Sequence, residues 1–522
     1  MTKKIKIFSL LLLVVMVMAA CSDNNASGDS DADSGSDSGG DSKAANQLLK
    51  IGNDQEPAGL DPHKVPAHSS IRIYEKVYDS LLTFDENMEL QPELAKEWEQ
   101  PDDTTYIFTL REGVTFHNGD KMTAEDVKYS YERILDEETA SIAKSYFDKV
   151  ESIEVMSPTK IKFNLSETYA PFLSYVASTN AAIVSEKVVE ENGDLMQVAV
   201  GTGPFKFEEW KPDNYVELSK NEDYYKEGQP KLDGIRYITM KDESARLAAI
   251  RTGEVHLTTL SSQSIPLAEK NDKLDVKGYQ STEYSYVGFN VDKEPFDNKK
   301  VRQAISLAVN RQEVKDIVWK GDAILSGPIP ESMGKWAIDV SEEELYQHDI
   351  EKAKQLLVEA GYEDGFETTI STASTYPDMI DTAQLLQQQF EKIGIKADIK
   401  QLEWGQYIDT WKSGDHEMLV GRNSSGSDPD RSISFFFSTD GSANVWGFSN
   451  DKIDSLSEKG RTTTDKEKRR EIYNEAQKKL IETSPNLFLV SPKKFFIVRN
   501  NVENYTPSAN EPENFNETII KQ

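Results

Sequence analysis

Apolar and polar positions alternate over Tyr106–Leu110 and Lys160–Leu165, with β-branched and aromatic residues at the apolar sites. This predicts two strands that each bury one face. Other stretches carry the helical period. Thr123 followed by Asp126 has the form of a capping box with Asp in place of Glu, and it predicts a helix to about Leu135 with Val127, Tyr131 and Ile134 on one face. Asp297 or Asn298 is placed to cap a helix carrying Val301, Ala304, Ile305, Ala308 and Val309 as far as Trp319. Helices over 382–393 and 349–360 stop at Gly394 and Gly361, the first leading into a strand over 395–402, and a last helix over 466–482 ends ahead of Pro485. Repeated helix–Gly–strand units favour mixed α/β layers. Gly201-Thr202-Gly203-Pro204 reads as a turn into a strand beginning at Phe205.

The first residues break this pattern. Lys3, Lys4 and Lys6 precede an apolar run from Ile7 to Met18, interrupted only by Ser9 and well short of the ~20 residues a spanning helix needs. Met18-Ala19-Ala20-Cys21 follows, and Cys21 is the only cysteine, so no disulfide can form within one chain. The arrangement resembles a bacterial lipobox. That resemblance implies a signal peptide over residues 1–20, cleavage before Cys21, and acylation of its thiol as a membrane anchor. Ser22–Lys43 holds 7 Ser, 6 Asp and 4 Gly and no residue able to build a core, so residues 21–47 are expected to be a flexible tether with a reach of roughly 25 Å.

With 522 residues, 37% hydrophobic and 29% charged, the remainder is expected to be a globular body of several domains. A net charge of -31 repels phosphate backbones and excludes nucleic acid as a natural partner. No catalytic motif emerges. The six histidines form no HExxH, no G-x-S-x-G elbow is present, and the Gly201–Pro204 turn lacks the Lys-Ser/Thr of a P-loop. Ninety acidic residues make any chosen carboxylate pair uninformative. Neither an enzyme nor a cofactor or metal site is expected.

Several runs, in order along the chain, carry a family resemblance. They are PAGLDPH from Pro57, the segment Leu94–Leu135 that begins LAKEWEQPDD, GTGPFKFEEW from Gly201, NVDKEPFDNKKVRQAISLAVNR from Asn290, and DPD from Asp428. These resemble the solute-binding proteins of peptide-type ABC importers, the oligopeptide and dipeptide binders of family 5. The resemblance implies an α/β, two-lobed periplasmic-binding-protein-like fold with a ligand cleft between the lobes. Lobe one would cover 48–287, with an extra subdomain over about 85–200; lobe two would cover 288–491; and 492–522 would return to lobe one. It also implies delivery of a solute to a membrane permease driven by a separate ATPase, by a monomer anchored on the extracytoplasmic face, as on a Gram-positive cell surface.

The family's ligand-binding residues carry over unevenly. In dipeptide-binding relatives an Asp four residues before the Pro of the D-P turn meets the ligand ammonium; here that position is Ser425. An Arg two residues before a Tyr meets the carboxylate; the matching Tyr is Tyr376, but Ser374 stands where the Arg would be. Loss of both charge-assisted contacts, each worth ~1.5 to 3 kcal/mol, disfavours a free dipeptide. Trp404 matches a pocket aromatic, and Tyr407 follows it. Asp428 or Asp430 could take over the ammonium from a shifted loop, or Asp428 could be a turn residue ahead of Pro429. Arg422 is a candidate anion partner, and Trp446 and Tyr286 are weaker candidates for the cleft wall. An oligopeptide is the leading solute. The rivals are a nickel chelate, oligosaccharide or modified peptide in the same fold, a surface-anchored hydrolase, and a sensor that presents ligand to a receptor.

Overall fold

A computed structural model describes residues 47–85, 88–507, 509 and 513–521. The expected signal peptide, the expected lipidation site Cys21 and all but Gln47 of the expected tether lie outside the described residues. Among the described residues no helix is long and apolar enough to cross a membrane.

Two mixed sheets organise the body. In the first, Leu48–Asn53 sits at the centre with Gly234–Thr239 and Leu257–Leu260 parallel on either side. Tyr215–Lys220 and Phe205–Lys211 extend one edge. Val490–Arg499 runs antiparallel between Leu257–Leu260 and Leu274–Gln280, so the C-terminal part of the chain completes this sheet. The second sheet has the order Ile395–Leu402, Phe366–Ala373, Met418–Ser424, Glu283–Phe289 and Asn486–Phe488. Its helices pack around a separate core. A four-stranded antiparallel sheet of Ala95–Asp102, Thr105–Leu110, Lys160–Leu165 and Val150–Ser157 forms a third body with its own aromatic core, in which Phe108, Tyr131, Phe147, Phe163 and Phe172 meet.

The chain leaves the first sheet after Gln280 and enters the second at Glu283; it leaves the second after Phe488 and re-enters the first at Val490. The two crossings between these sheets therefore fall at 281–282 and at Leu489.

Local signals hold where side chains cap the backbone. Asp126 accepts from the Thr123 amide at 2.9 Å and Thr123 from the Glu125 amide, closing the capping box of the helix Ala124–Leu135. Asn298 rather than Asp297 caps the next expected helix, which stops at Ala308 instead of Trp319. Asn310 restarts the chain there by capping a short following turn, and its side chain accepts from Glu313. The helix expected over 382–393 spans Pro377–Glu391, with Pro377 occupying a first-turn position that needs no donor. Two of the family-like runs meet in the core. Asp61 receives a two-pronged hydrogen bond from Arg133 at 3.1 and 2.6 Å, beside buried His63, whose pKa falls to about 4 mainly because burial disfavours the charged ring.

Candidate functional site

Parallel strands place the site. Phe366–Ala373 pairs in parallel with Ile395–Leu402, Ala373 level with Leu402, so both strands end at the same edge. The helices that follow, Pro377–Glu391 and Trp404–Ser413, then begin side by side, bringing Tyr376 and Trp404 together. Met418–Ser424 also runs parallel to Phe366–Ala373, and it ends at that edge with Arg422 and Ser424 half-exposed between buried neighbours. Across from it the first sheet presents Asp54 and Gln55 after one central strand and Ser261–Ser264 after another. Carboxyl ends of strands in open α/β sheets are where crevices form.

Between these two edges lies a cavity of about 810 Å3. The first lobe contributes Arg72, Arg246 and the serine loop, the second Tyr376, Asp378, Trp404 and Arg422, and the returning strand Lys493 to Phe496. The size falls within the ~300 to 1,000 Å3 common for small-molecule sites.

The aromatic wall is ordered by stacking. Trp404, 43% exposed, lies flat on Tyr407 with ring centres 5.4 Å apart and edge-on to Tyr376 at 5.1 Å. Tyr407 itself is buried and donates to the Val420 carbonyl at 3.0 Å, so it supports Trp404 from behind. The Arg422 guanidinium sits 4.4 Å from the Tyr376 ring centre, a cation–π geometry, and 3.7 Å from Asp378. Burial pushes the Asp378 carboxyl above its ordinary range, an effect that nearby Arg422 partly offsets.

Most other charges on the wall are compensated within the protein. Lys494 pairs with Glu283 at 2.8 Å. Arg72 donates to Asn53 at 2.9 Å, and Arg246 to the Met240 and Lys241 carbonyls at 2.8 and 3.1 Å.

Besides Tyr407, five sequence candidates stand away from the cavity wall. Ser425 is fully buried, its amide bonded to the Thr282 carbonyl and its hydroxyl accepting from Ser432 at 2.7 Å. Asp428 receives both arms of Arg469, at 2.9 and 2.7 Å, and is a structural residue. Asp430 pairs with Arg461 at 2.9 Å and accepts from Tyr175 of the four-stranded body at 3.1 Å, so it joins the lobes. Tyr286 and Trp446 pack edge-to-face in the second core, where Gly288 leaves the space the indole fills; a Cβ there would lie 2.0 Å from the ring. Ser425, Asp428, Asp430, Tyr286 and Trp446, expected as candidates for the solute site, are thus buried among protein partners and do not line this cavity. Matching a family motif fixes a position along the chain and not the buried partners that a side chain meets there.

Asp378 and the first-lobe wall were missed by sequence reasoning. Asp378 stood in the same loop as Tyr376, one residue past a helix-starting Pro, and that first-turn position was the available signal. The first-lobe serines carry no comparable mark. Among the described residues no cluster of three or more His, Cys, Asp or Glu is arranged to hold a metal ion.

The model for bacterial extracellular solute-binding proteins, family 5, matches residues 89–444. The chain belongs to that family. Its members here are binding proteins of the ABC-importer type, with two lobes. The glutathione-binding protein GsiB of Salmonella typhi is 30% identical over 83% of this chain and 87% of its own length. Among solved structures, DppA of Helicobacter pylori in complex with the peptide STSA superposes with a TM-score of 0.80 at 29% identity, covering 91% of this chain and 98% of that one. NikZ of Campylobacter jejuni in complex with Ni(L-His) gives 0.80 at 25%, covering 90% and 98%.

Proposed function

We propose that this protein captures peptides longer than a free dipeptide in the cavity between its lobes and delivers them to a membrane permease powered by a separate ATPase. It does no chemistry on them. The observation that carries this reading is the cavity wall itself. Exposed Trp404 and half-buried Tyr376 offer apolar area to side chains of varied shape, while the loop position that would anchor a dipeptide ammonium is Ser425, buried and hydrogen-bonded. The nearby carboxylates of Asp428 and Asp430 are held by Arg469 and Arg461. Affinity then comes from main-chain hydrogen bonds and enclosure, which suit longer solutes. Relatives named di/tripeptide- and oligopeptide-binding proteins support peptides as the class of solute.

The chain acts as a monomer tethered by lipid on Cys21. Acyl chains contribute ~0.8 kcal/mol per buried CH2, enough for stable anchoring when two or more are present. Cys21→Ala should release the protein to the medium or leave an uncleaved precursor; normal lipid labelling of that variant would rule out the anchor.

Thermal-shift assays with peptides of two to six residues, linked through main chain or side chain, test the binding reading. A ligand at 100 times its Kd adds ~2.7 kcal/mol of stability. Stabilisation is expected from tripeptides upward and not from free dipeptides at equal concentration. Stabilisation by dipeptides alone would overturn the length preference.

A further inference from the structure

Arg422 and Asp378 differ from three other charged side chains of the cavity wall. Arg72, Arg246 and Lys494 all donate hydrogen bonds to protein acceptors within 2.8–2.9 Å. Arg422 does not. Its one ionic partner among the described residues is Asp378, at 3.7 Å from Nε, which is too long for a hydrogen bond. Both side chains are sheltered, at 24% and 21% exposed, yet both line the cavity. Arg422 is held in place by the Tyr376 ring rather than by an acceptor, and Asp378 by the first turn of its helix. A guanidinium with open donors beside a carboxylate with open acceptors is arranged to receive a second pair of charges.

The spacing restricts what that pair can be. An extended chain advances ~3.3 to 3.6 Å per residue, so the two ends of even a tripeptide lie roughly 10 Å apart. They cannot reach Arg422 and Asp378 together. A solute that used only one of the two would leave the other charge enclosed and uncompensated, which is strongly unfavourable. An ammonium and a carboxylate borne on one carbon satisfy both at once.

We propose that Arg422 and Asp378 together read a free α-amino-acid head group, with the carboxylate in the fork of Arg422 and the ammonium on Asp378. Resting on the cavity as the solute site, this assigns the solute to peptides or amino-acid derivatives joined through a side chain, such as γ-glutamyl compounds. The main chain of the head group stays free and the remainder extends along Trp404. An α-linked peptide separates its terminal ammonium from its nearest free carboxylate and loses one of the two contacts.

Calorimetric titration of the purified full-length protein with γ-glutamyl-cysteinyl-glycine and with its α-linked isomer tests this directly, because the two differ only in linkage. The γ-linked form is expected to bind about tenfold or more tighter. Arg422→Gln and Asp378→Asn should each reduce that preference to within about twofold, and Arg422→Lys, which keeps the charge without the fork, should retain part of it. Equal or tighter binding of the α-linked isomer would overturn the inference, as would a preference that survives in both variants. Binding of longer α-linked peptides without the γ-linked form would overturn the head-group assignment and leave peptide capture standing. No binding by any of these peptides would overturn both.

Discussion

Trp404 and Trp446 are the same residue type in opposite circumstances, and the difference sets what each does. Trp404 presents nearly half its surface to the cavity and rests on Tyr407, so truncating it removes contact area from a solute and little from the core. Trp404→Ala is expected to weaken peptide binding about tenfold or more while the unfolding midpoint without ligand stays within a degree or two. Unchanged affinity in a titration would take Trp404 out of the site. Trp446 is fully enclosed over Gly288, and Trp446→Ala should cost ~3 to 5 kcal/mol of stability in denaturant unfolding. Asp428 belongs with it. Removing one member of its buried pair with Arg469 strands the other charge, so Asp428→Ala should cost ~3 to 5 kcal/mol, whereas a ligand contact would show as lost affinity with little lost stability.

At the level of elements, the joint between the first sheet and the four-stranded body holds buried Asp79 and Glu93 close together. Asp79 accepts from Thr202 at 2.9 Å, and Glu93 from Tyr225 at 2.6 Å and Lys226 at 2.7 Å. Burial first, and the Glu93 charge second, push the Asp79 carboxyl up to about 7. In the unfolded chain it titrates near ~3.9, so between about pH 4 and 7 the folded state binds more protons and stability falls as pH rises. Asp79→Asn should therefore be more stable than wild type at pH 8, by ~1 kcal/mol or more, with the difference vanishing near pH 4. An equal gain at both pH values would exclude titration of Asp79 as the cause. Elements such as Ala124–Leu135 were legible in the sequence because their signals are local: a cap, an apolar stripe, a stop. The crossings at 281–282 and Leu489 were not, since which sheet a strand joins depends on pairing partners far away in the chain, Lys493–Arg499 for Leu274–Gln280 and Met418–Ser424 for Glu283–Phe289. The site was legible in part for the same reason. Trp404 follows a strand recognisable from pattern, Tyr376 and Trp404 match family positions, and Arg422 stands just ahead of the DPD loop, while the commitment of Asp430 to Arg461 and Tyr175 depends on residues 31 and 255 positions away.

On the scale of the whole molecule, the four-stranded body touches the second lobe through a small polar cluster. Arg431 donates to the Tyr146 hydroxyl at 2.7 Å, the Tyr146 and Tyr175 rings stack 4.3 Å apart, and the Ala170 amide reaches the Arg461 carbonyl at 2.7 Å. Such contacts hold the lobes together over an enclosed solute, and a solute shifts the opening equilibrium only by binding the closed arrangement better. Tyr146→Phe, which deletes one hydroxyl, should speed solute release several-fold in stopped-flow measurements and change thermal stability by less than ~1.5 kcal/mol. An unaltered release rate would place this cluster outside the closing motion. The central claim is that a peptide occupies the space between the sheets, held by Trp404 and Arg422. Native mass spectrometry of the purified protein, with any retained molecule released and fragmented, tests it most directly. The account predicts a peptide adduct on the wild type that is lost from the Trp404→Ala, Arg422→Gln double variant; a retained sugar, or a peptide held equally by that variant, would contradict it.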